Sequence, residues 1–484
     1  MDACLLLMSE SLKQKTVKGL AWNTINTLSN KTITFLIGVI LARLLIPSDY
    51  GAVAMIAVFT SVLGLFTDGV LTTALIRKND RTEEDCATVF YYNLVACYII
   101  YIILFCAAPY IADFYNMPNL KDLTRIVTLG LLISPFGGIQ SVRLTAAIDF
   151  KTPAVIGVCA TILSGIIAII MAYNGYGVWS LAAQGLVGTA ITVGAKIYIV
   201  RWLPKTRFSK KSFKELFGFS SKMLASNCLE TIYQNITPLI VGKYYSPTQL
   251  GIYERARGWA ALPSSTFTGV LQGVTFPVLS KLQNDDERLT INYRKLLHLS
   301  AFICFPLMIG LAAIARPLTL FVLTEKWEGS IILLQIVCFS MMWYPIHAIN
   351  LNLLMVKGRS DLFFRLEVIK KIYGLMMLCC TLPFGLVIFC CGGIVSSIFS
   401  LIVNTYYTGK LIRIGFIKQM KDLIPILINS LVMGTLCLLV QQLFDSNLVK
   451  LLVAIFTGGV YYLASNYLMS STELKELITI IRRK

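Results

Sequence analysis

Trp22 to Gly51 reads WNTINTLSNKTITFLIGVILARLLIPSDYG, and this stretch decides the fold. Asn23, Thr27, Asn30 and Thr34 recur at three-and-four spacing, so a helix gathers them on one polar face. Lys31 lies one turn beyond Thr27, and Phe35 to Ile46 is almost purely apolar. The turn Pro47-Ser48-Asp49-Tyr50-Gly51 then precedes another apolar run. Roughly 20 apolar residues cross a bilayer, so the segment is predicted to be a membrane helix with one wet face. The plan returns about two hundred residues later. There Lys222, Ser226, Glu230 and Gln234 form the polar row, PLIVGKYY the apolar part, and Ser246-Pro247-Thr248-Gln249-Leu250-Gly251 the turn. The P-x-x-x-G spacing is identical, which predicts a duplicated lobe.

Composition sets the class. Of 484 residues, 56% are hydrophobic and only 14% charged, where a soluble chain carries about 25% charge. An all-α polytopic membrane protein is expected, with roughly fourteen spanning helices. The net charge is +18, but the Lys and Arg residues sit in short loops without interleaved aromatics. Nucleic acid is therefore not an expected partner, and the orientation rule for membrane loops explains the placement. Alternate loops carry Arg77, Lys78 and Arg81; Arg143 and Lys151; then the most basic, Arg201 to Lys214, and so on to Arg482-Arg483-Lys484. Intervening loops hold few, such as Arg43, Lys121 and Lys326, a ratio of roughly four to one that predicts both termini inside.

Pro204 to Lys214, PKTRFSKKSFK, is the best internal boundary. The expected organisation is an N-terminal segment 1–19, a six-helix N-lobe 20–202, a basic linker 203–215, a six-helix C-lobe 216–411, and two further helices with the C-terminus in 412–484. The fourth and tenth helices echo each other at Ser134-Pro135 and Tyr344-Pro345, where a mid-helix proline frees a carbonyl and permits a bend. The last two helices are bland and receive no chemistry. The thirteen cysteines form no metal framework and read as small packing residues. MDACLLL, residues 1–7, is too short for a signal peptide and reads as an over-extended start before Met8.

A charge deep in a membrane helix needs a partner or water. Lys31 either draws an anionic group into a wet cavity beside Asn23 and Asn30, or pairs with Asp68 inside its lobe. Glu230 either takes up a proton or cation, or pairs with Lys222 two turns away. Arg255 and Arg257, heading the row Ser264, Thr268 and Gln272, either hold phosphate with forked donors or snorkel to the outer interface. Glu367, Lys370 and Lys371 are spaced for a self-neutralising pair. Lys371, about 16 Å into its helix at 1.5 Å per residue, is too deep for easy snorkelling and remains a cavity candidate. His347, Asn350 and Asn352, like Gln140 and Arg143, read as satisfied packing residues. The ion-coupling candidates are therefore Asp68, Glu230 and Glu367. No P-loop, metal-spaced His/Cys set or nucleophile elbow occurs, so no enzyme, metal or cofactor is expected.

At three places the chain resembles a known group. They are KTVKGLAWNTINTLSNKTITFLIGVILARLLIPSDYGAVAM, NITPLIVGKYYSPTQLGIYERARGWAALPSSTFTGVLQGVTFPVLSKLQ, and EKWEGS at Glu325 to Ser330. With the helix pattern they resemble the polysaccharide and O-antigen flippases of bacteria. These form the Wzx/WzxC-like branch of the multidrug/oligosaccharidyl-lipid/polysaccharide exporter superfamily. Many members place an acidic residue just before the IVGKYYSP-like run, where this chain has Asn235 and Thr237. The resemblance implies a V-shaped pair of six-helix bundles around a central cavity, opening alternately to each side of the bacterial cytoplasmic membrane. It implies a polyprenyl-pyrophosphate-linked oligosaccharide as cargo, membrane lipids and glycan-assembly proteins as partners, and H+ or Na+ as candidate coupling ions. The rivals are a cation-coupled drug antiporter or a peptidoglycan-precursor flippase of the same superfamily. From a different class, a membrane glycosyltransferase would need an acidic site, and Asp285-Asp286-Glu287 reads instead as a solvated loop.

Overall fold

The computed structural model describes residues 29–67, 70–78 and 80–469. Among them every regular element is helical and no strand occurs. The chain divides into two compact units, Met1–Gly251 and Ile252–Lys484.

The first unit contains α1 (29–44), α2 (Pro47–Gly64), α3 (Val70–Arg77), α4 (Glu83–Phe114), α5 (Leu120–Val127), α6 (Gly130–Ile133), α7 (Pro135–Ala146), α8 (Lys151–Tyr173), α9 (Val178–Val200) and α10 (Lys210–Tyr244). It also contains the first turn of α11 (Pro247–Ser280). Both P-x-x-x-G turns are helix starts. Pro47 and Pro247 open α2 and α11, where a missing N–H is no loss and a fixed φ is already helical. Asp49 Oδ2 accepts from the Ile46 amide at 3.2 Å, and Ser246 Oγ accepts from the Gln249 amide at 3.1 Å. The two turns cross reciprocally. A Cβ on Gly51 would strike the Pro247 carbonyl, and one on Gly251 would strike the Pro47 carbonyl. Only glycine allows that approach.

The stretch between α9 and α10 is strapped to the start of α4. Thr82 and Asp85 form a capping box there, with bonds of 3.1 and 3.0 Å. Trp202 Nε1 donates to Glu83 Oε2 at 2.8 Å, Thr206 to the Glu83 carbonyl at 3.3 Å, and the Ser209 amide to Thr88 at 3.0 Å. Beneath the strap, Leu71, Leu75, Val89, Phe90, Val142 and Trp202 form a buried apolar cluster. α5–α6 and α7 are together long and apolar enough to cross a membrane, with a bend of 44° at Ser134-Pro135. Pro135 cannot donate to the Leu131 carbonyl, and the Ser134 hydroxyl does so instead at 3.3 Å.

The second unit contains the rest of α11, then α12 (Asp286–Ala313), α13 (Ala315–Val322), α14 (Ser330–Met341), α15 (Tyr344–Val356), α16 (Ser360–Thr381), α17 (Leu386–Ile412), α18 (Phe416–Gln441) and α19 (Asn447–Leu468). α12 is its post, with Leu289, Tyr293, Leu297, Ala301, Phe305 and Met308 fully buried. The break between α14 and α15 falls at Tyr344-Pro345. Pro345 leaves the Met341 carbonyl without its helical donor, and Ser264 of α11 donates to it at 2.9 Å. Pro306 likewise frees the Phe302 carbonyl, which accepts from Tyr462 of α19 at 2.9 Å. α18 lies along α12 at Gly434, where a Cβ would come within 2.7 Å of Ile309. Arg294 of α12 grips Asp422 of α18 through two bonds of 2.8 and 2.7 Å. Tyr293, Asn350, Thr408 and Gln419, one from each of α12, α15, α17 and α18, form a buried hydrogen-bond network.

The outward faces are apolar. Ile99, Ile102 and Ile103 on α4, Ile162, Leu163 and Ile166 on α8, and Leu452, Ile455 and Phe456 on α19 are exposed, as lipid-facing surface should be. By length and composition, eight described helices can cross a membrane, or nine with the bent pair. The roughly fourteen counted from sequence add α1, α2–α3, α10, α11 and α16, which are shorter, interrupted or more polar. The protein is an all-helical, multi-pass membrane protein.

Candidate functional site

Helices α7, α8 and α9 of the first unit line an open cavity of about 620 Å³ whose wall mixes polar and apolar groups. Ser134, Ser141, Thr161, Ser164, Gln184 and Thr192 contribute hydroxyl and amide groups to its wall. One cation, Lys196, also lines it, and its Nζ donates to Ser141 Oγ at 2.8 Å. The local cause is an i, i+4 stripe on α9: Gln184, Gly188, Thr192 and Lys196, which one helix face must present together. Glycine brings the walls close, since a Cβ on Gly137 would come within 3.0 Å of Val193. Hydroxyls and amides both donate and accept, so such a wall matches the alternating donors and acceptors of a sugar, while the ammonium favours an anion.

The sequence candidates fall around and away from this cavity. Asn30 meets it: Thr161 Oγ1 donates to Asn30 Oδ1 at 3.3 Å, so the polar face of α1 is tied to the cavity wall. Lys31, the next residue, is half-buried. Asn23 and Asp68 lie outside the described residues, as do the Lys222 side chain and residues 1–7. On α10, Gln234 Nε2 donates to Glu230 Oε1 at 2.8 Å.

In the second unit the candidates are engaged locally. Arg255 stacks its guanidinium 4.9 Å from the ring of Trp327. Trp327 is fully buried within the EKWEGS stretch, so the family-like segment and the arginine form one packing unit. Arg257 pairs with Glu254 at 3.3 Å. Ser264 and Thr268 are buried, and Gln272 at the end of that row is exposed. Glu367 pairs with Lys370, and Lys371 beside them is half-buried. His347 is held on both ring nitrogens, by Ser397 Oγ at 3.2 Å and Asn404 Nδ2 at 3.4 Å. The Ser397 proton goes to the Ser340 carbonyl at 3.0 Å. Nε2 must therefore donate and Nδ1 accept, which a neutral imidazole satisfies in full. Among the described residues no three His, Cys, Asp or Glu side chains form a metal-binding group.

Sequence reasoning missed Lys196 and its stripe. The signal was present in QGLVGTAITVGAK, Gln184 to Lys196, where polar and small residues repeat every four positions.

A helical membrane protein with a cavity that carries several hydroxyls and one lysine has the make-up of a carrier for polar, anionic cargo. The chain belongs to the polysaccharide biosynthesis protein family, whose profile matches residues 40–332. It is 28% identical over 373 residues, 75% of each chain, to an uncharacterized membrane protein in the cps region of Klebsiella pneumoniae. It is 26% identical to the succinoglycan biosynthesis transport protein ExoT of Rhizobium meliloti (strain 1021), over 66% of this chain and 65% of that one. In fold it is similar to the lipid II flippase MurJ in an inward closed conformation. The TM-score is 0.76 at 17% identity, covering 94% of this chain and 99% of that one.

Proposed function

We propose that this protein is a flippase that moves a polyprenyl-pyrophosphate-linked oligosaccharide across the bacterial cytoplasmic membrane by alternating access. The observation that carries the reading is the cavity of about 620 Å³ whose wall includes several hydroxyls, the Gln184 amide and Lys196. Sugars require hydrogen-bonding walls and the pyrophosphate a cation, while the lipid tail remains in the bilayer. Family membership and the relatives' part in polysaccharide biosynthesis and transport support it. Lys196 and Asn30 are proposed to touch cargo, with Lys31, Arg257, Lys371 and Gln272 as further cargo contacts. Arg255 acts by holding its lobe through Trp327. Glu230 and Glu367 are the candidates for H+ or Na+ coupling, each already beside a polar or cationic neighbour whose exchange would accompany ion uptake. The loop charges support placing both termini in the cytoplasm.

The test is complementation of a deletion strain. Lys196→Ala and Lys31→Ala should each reduce surface glycan at least about tenfold, a loss of about 1.4 kcal/mol in the carrying step. Protein abundance in the membrane should be unchanged. Normal glycan from both variants would remove these lysines from the mechanism. The fold similarity to a lipid II flippase makes a peptidoglycan precursor the second reading; rescue of growth, rather than of surface glycan, would select it.

A further inference from the structure

A second cavity, of about 450 Å³, opens in the first unit where α7 and α9 end beside the start of α4. Its lining combines two guanidinium groups, Arg81 and Arg143, with four apolar side chains, Leu144, Ala146, Ile199 and Val200. Arg143 is already committed. It pairs with Glu83 at 2.7 Å, whose other carboxylate oxygen accepts from Trp202. Arg81 is different. Its Nη1 is buried, and no described residue accepts a hydrogen bond from it. A buried guanidinium N–H left unmatched costs more than an ordinary lost hydrogen bond, so an acceptor from outside the chain is the natural complement.

The surrounding charges allow an anion there. Glu83 cancels one guanidinium, and Asp85 is engaged by Lys78 at 3.0 Å and by the α4 cap. The carboxyl-terminal ends of α7 and α9 add partial negative charge, and the start of α4 adds partial positive charge. Among the described residues the Arg81 Nη1 keeps no acceptor, and it lies beside an apolar wall. A free inorganic phosphate would leave that wall wet, whereas an amphiphile covers it.

We propose that Arg81, with Arg143, binds the phosphate of a membrane lipid, whose chain lies along Leu144, Ile199 and Val200. Arg81 supplies the forked donors, and Arg143 adds charge from within its ion pair. Two lipids share this chemistry: an anionic phospholipid of the bilayer, and a polyprenyl pyrophosphate carrier. The site stands whether or not the proposed cargo is correct, because either lipid satisfies the same geometry.

The experiment measures binding of phosphatidylglycerol and of polyprenyl pyrophosphate to the purified full chain in mixed micelles, with diacylglycerol as a control lacking phosphate. Arg81→Gln should weaken binding of one phosphate lipid at least about tenfold and leave diacylglycerol unchanged. Arg81→Lys should restore part of the loss. Loss for phosphatidylglycerol identifies a bilayer lipid, and loss for the pyrophosphate identifies the carrier. Wild-type affinity of Arg81→Gln for both would overturn the proposal, as would an equal loss for diacylglycerol. Failure here leaves the cargo reading untouched, since surface-glycan complementation tests that separately.

Discussion

Gly51 and Gly251 each sit where a methyl group would meet the backbone of the other repeat's proline. Backbone cannot rotate aside as a side chain can. Gly51→Ala or Gly251→Ala is therefore expected to cost more than the usual 1–3 kcal/mol of an overpacked site, lowering the unfolding midpoint in detergent by several degrees. Gly64→Ala, which meets nothing within 4 Å, is the control; equal midpoints for all three would show that the turns do not cross. At Asp149 the residue scale makes a pH statement. Partial burial works against the charged form, but the Thr152 hydroxyl and the Thr152 and Lys151 amides outweigh it and hold the carboxyl below its ordinary range. Stability from a lowered carboxyl is present above the unfolded value, near 3.9, and is lost as pH falls through the folded one. Asp149→Ala should thus cost about 1 kcal/mol at neutral pH, and its deficit should shrink as pH drops below about 4. A deficit that grew on acidification would contradict this.

At the scale of elements, proline explains three hydrogen bonds. Pro135, Pro306 and Pro345 each lack the N–H that residues Leu131, Phe302 and Met341 would otherwise receive, and Ser134, Tyr462 and Ser264 supply it. Tyr462→Phe should cost about 1 kcal/mol. In a Pro306→Ala background, where the helix regains its own donor, that cost should fall to near zero. A cost unchanged by Pro306→Ala would mean that Tyr462 acts by packing alone. The broken helices were legible beforehand, because Ser134-Pro135 and Tyr344-Pro345 announce themselves in the chain. The two P-x-x-x-G stretches read as turns between helices, whereas Pro47 and Pro247 already open helices. The work of α18 and α19 was not legible. Their polar groups, Asp422, Gln419 and Tyr462, find partners on α12, α15 and α17. Hydropathy averages over such isolated groups, and nothing in periodicity names a partner more than a hundred residues away. Lys196 escaped for a related reason: its value lies in the hydroxyls of α7 and α8 around it, which look unremarkable one helix at a time. Arg255 was readable as a phosphate ligand or an interfacial anchor; its contact with the buried Trp327 was not.

At the scale of the whole molecule, apolar outer faces and polar interior groups divide the work between lipid and cargo. In the proposed reading the cavity of α7, α8 and α9 offers a sugar what bilayer lipid cannot, and Lys196 is its contact for a phosphate. The measurement that tests this most directly uses proteoliposomes holding a fluorescent polyprenyl-pyrophosphate oligosaccharide, bleached from outside by a membrane-impermeant reductant. The wild-type chain should expose nearly all the label with time, and Lys196→Ala should leave the inner-leaflet share protected, as in protein-free vesicles. Protection of that share in the presence of wild-type protein, or full bleaching with Lys196→Ala, would contradict the account.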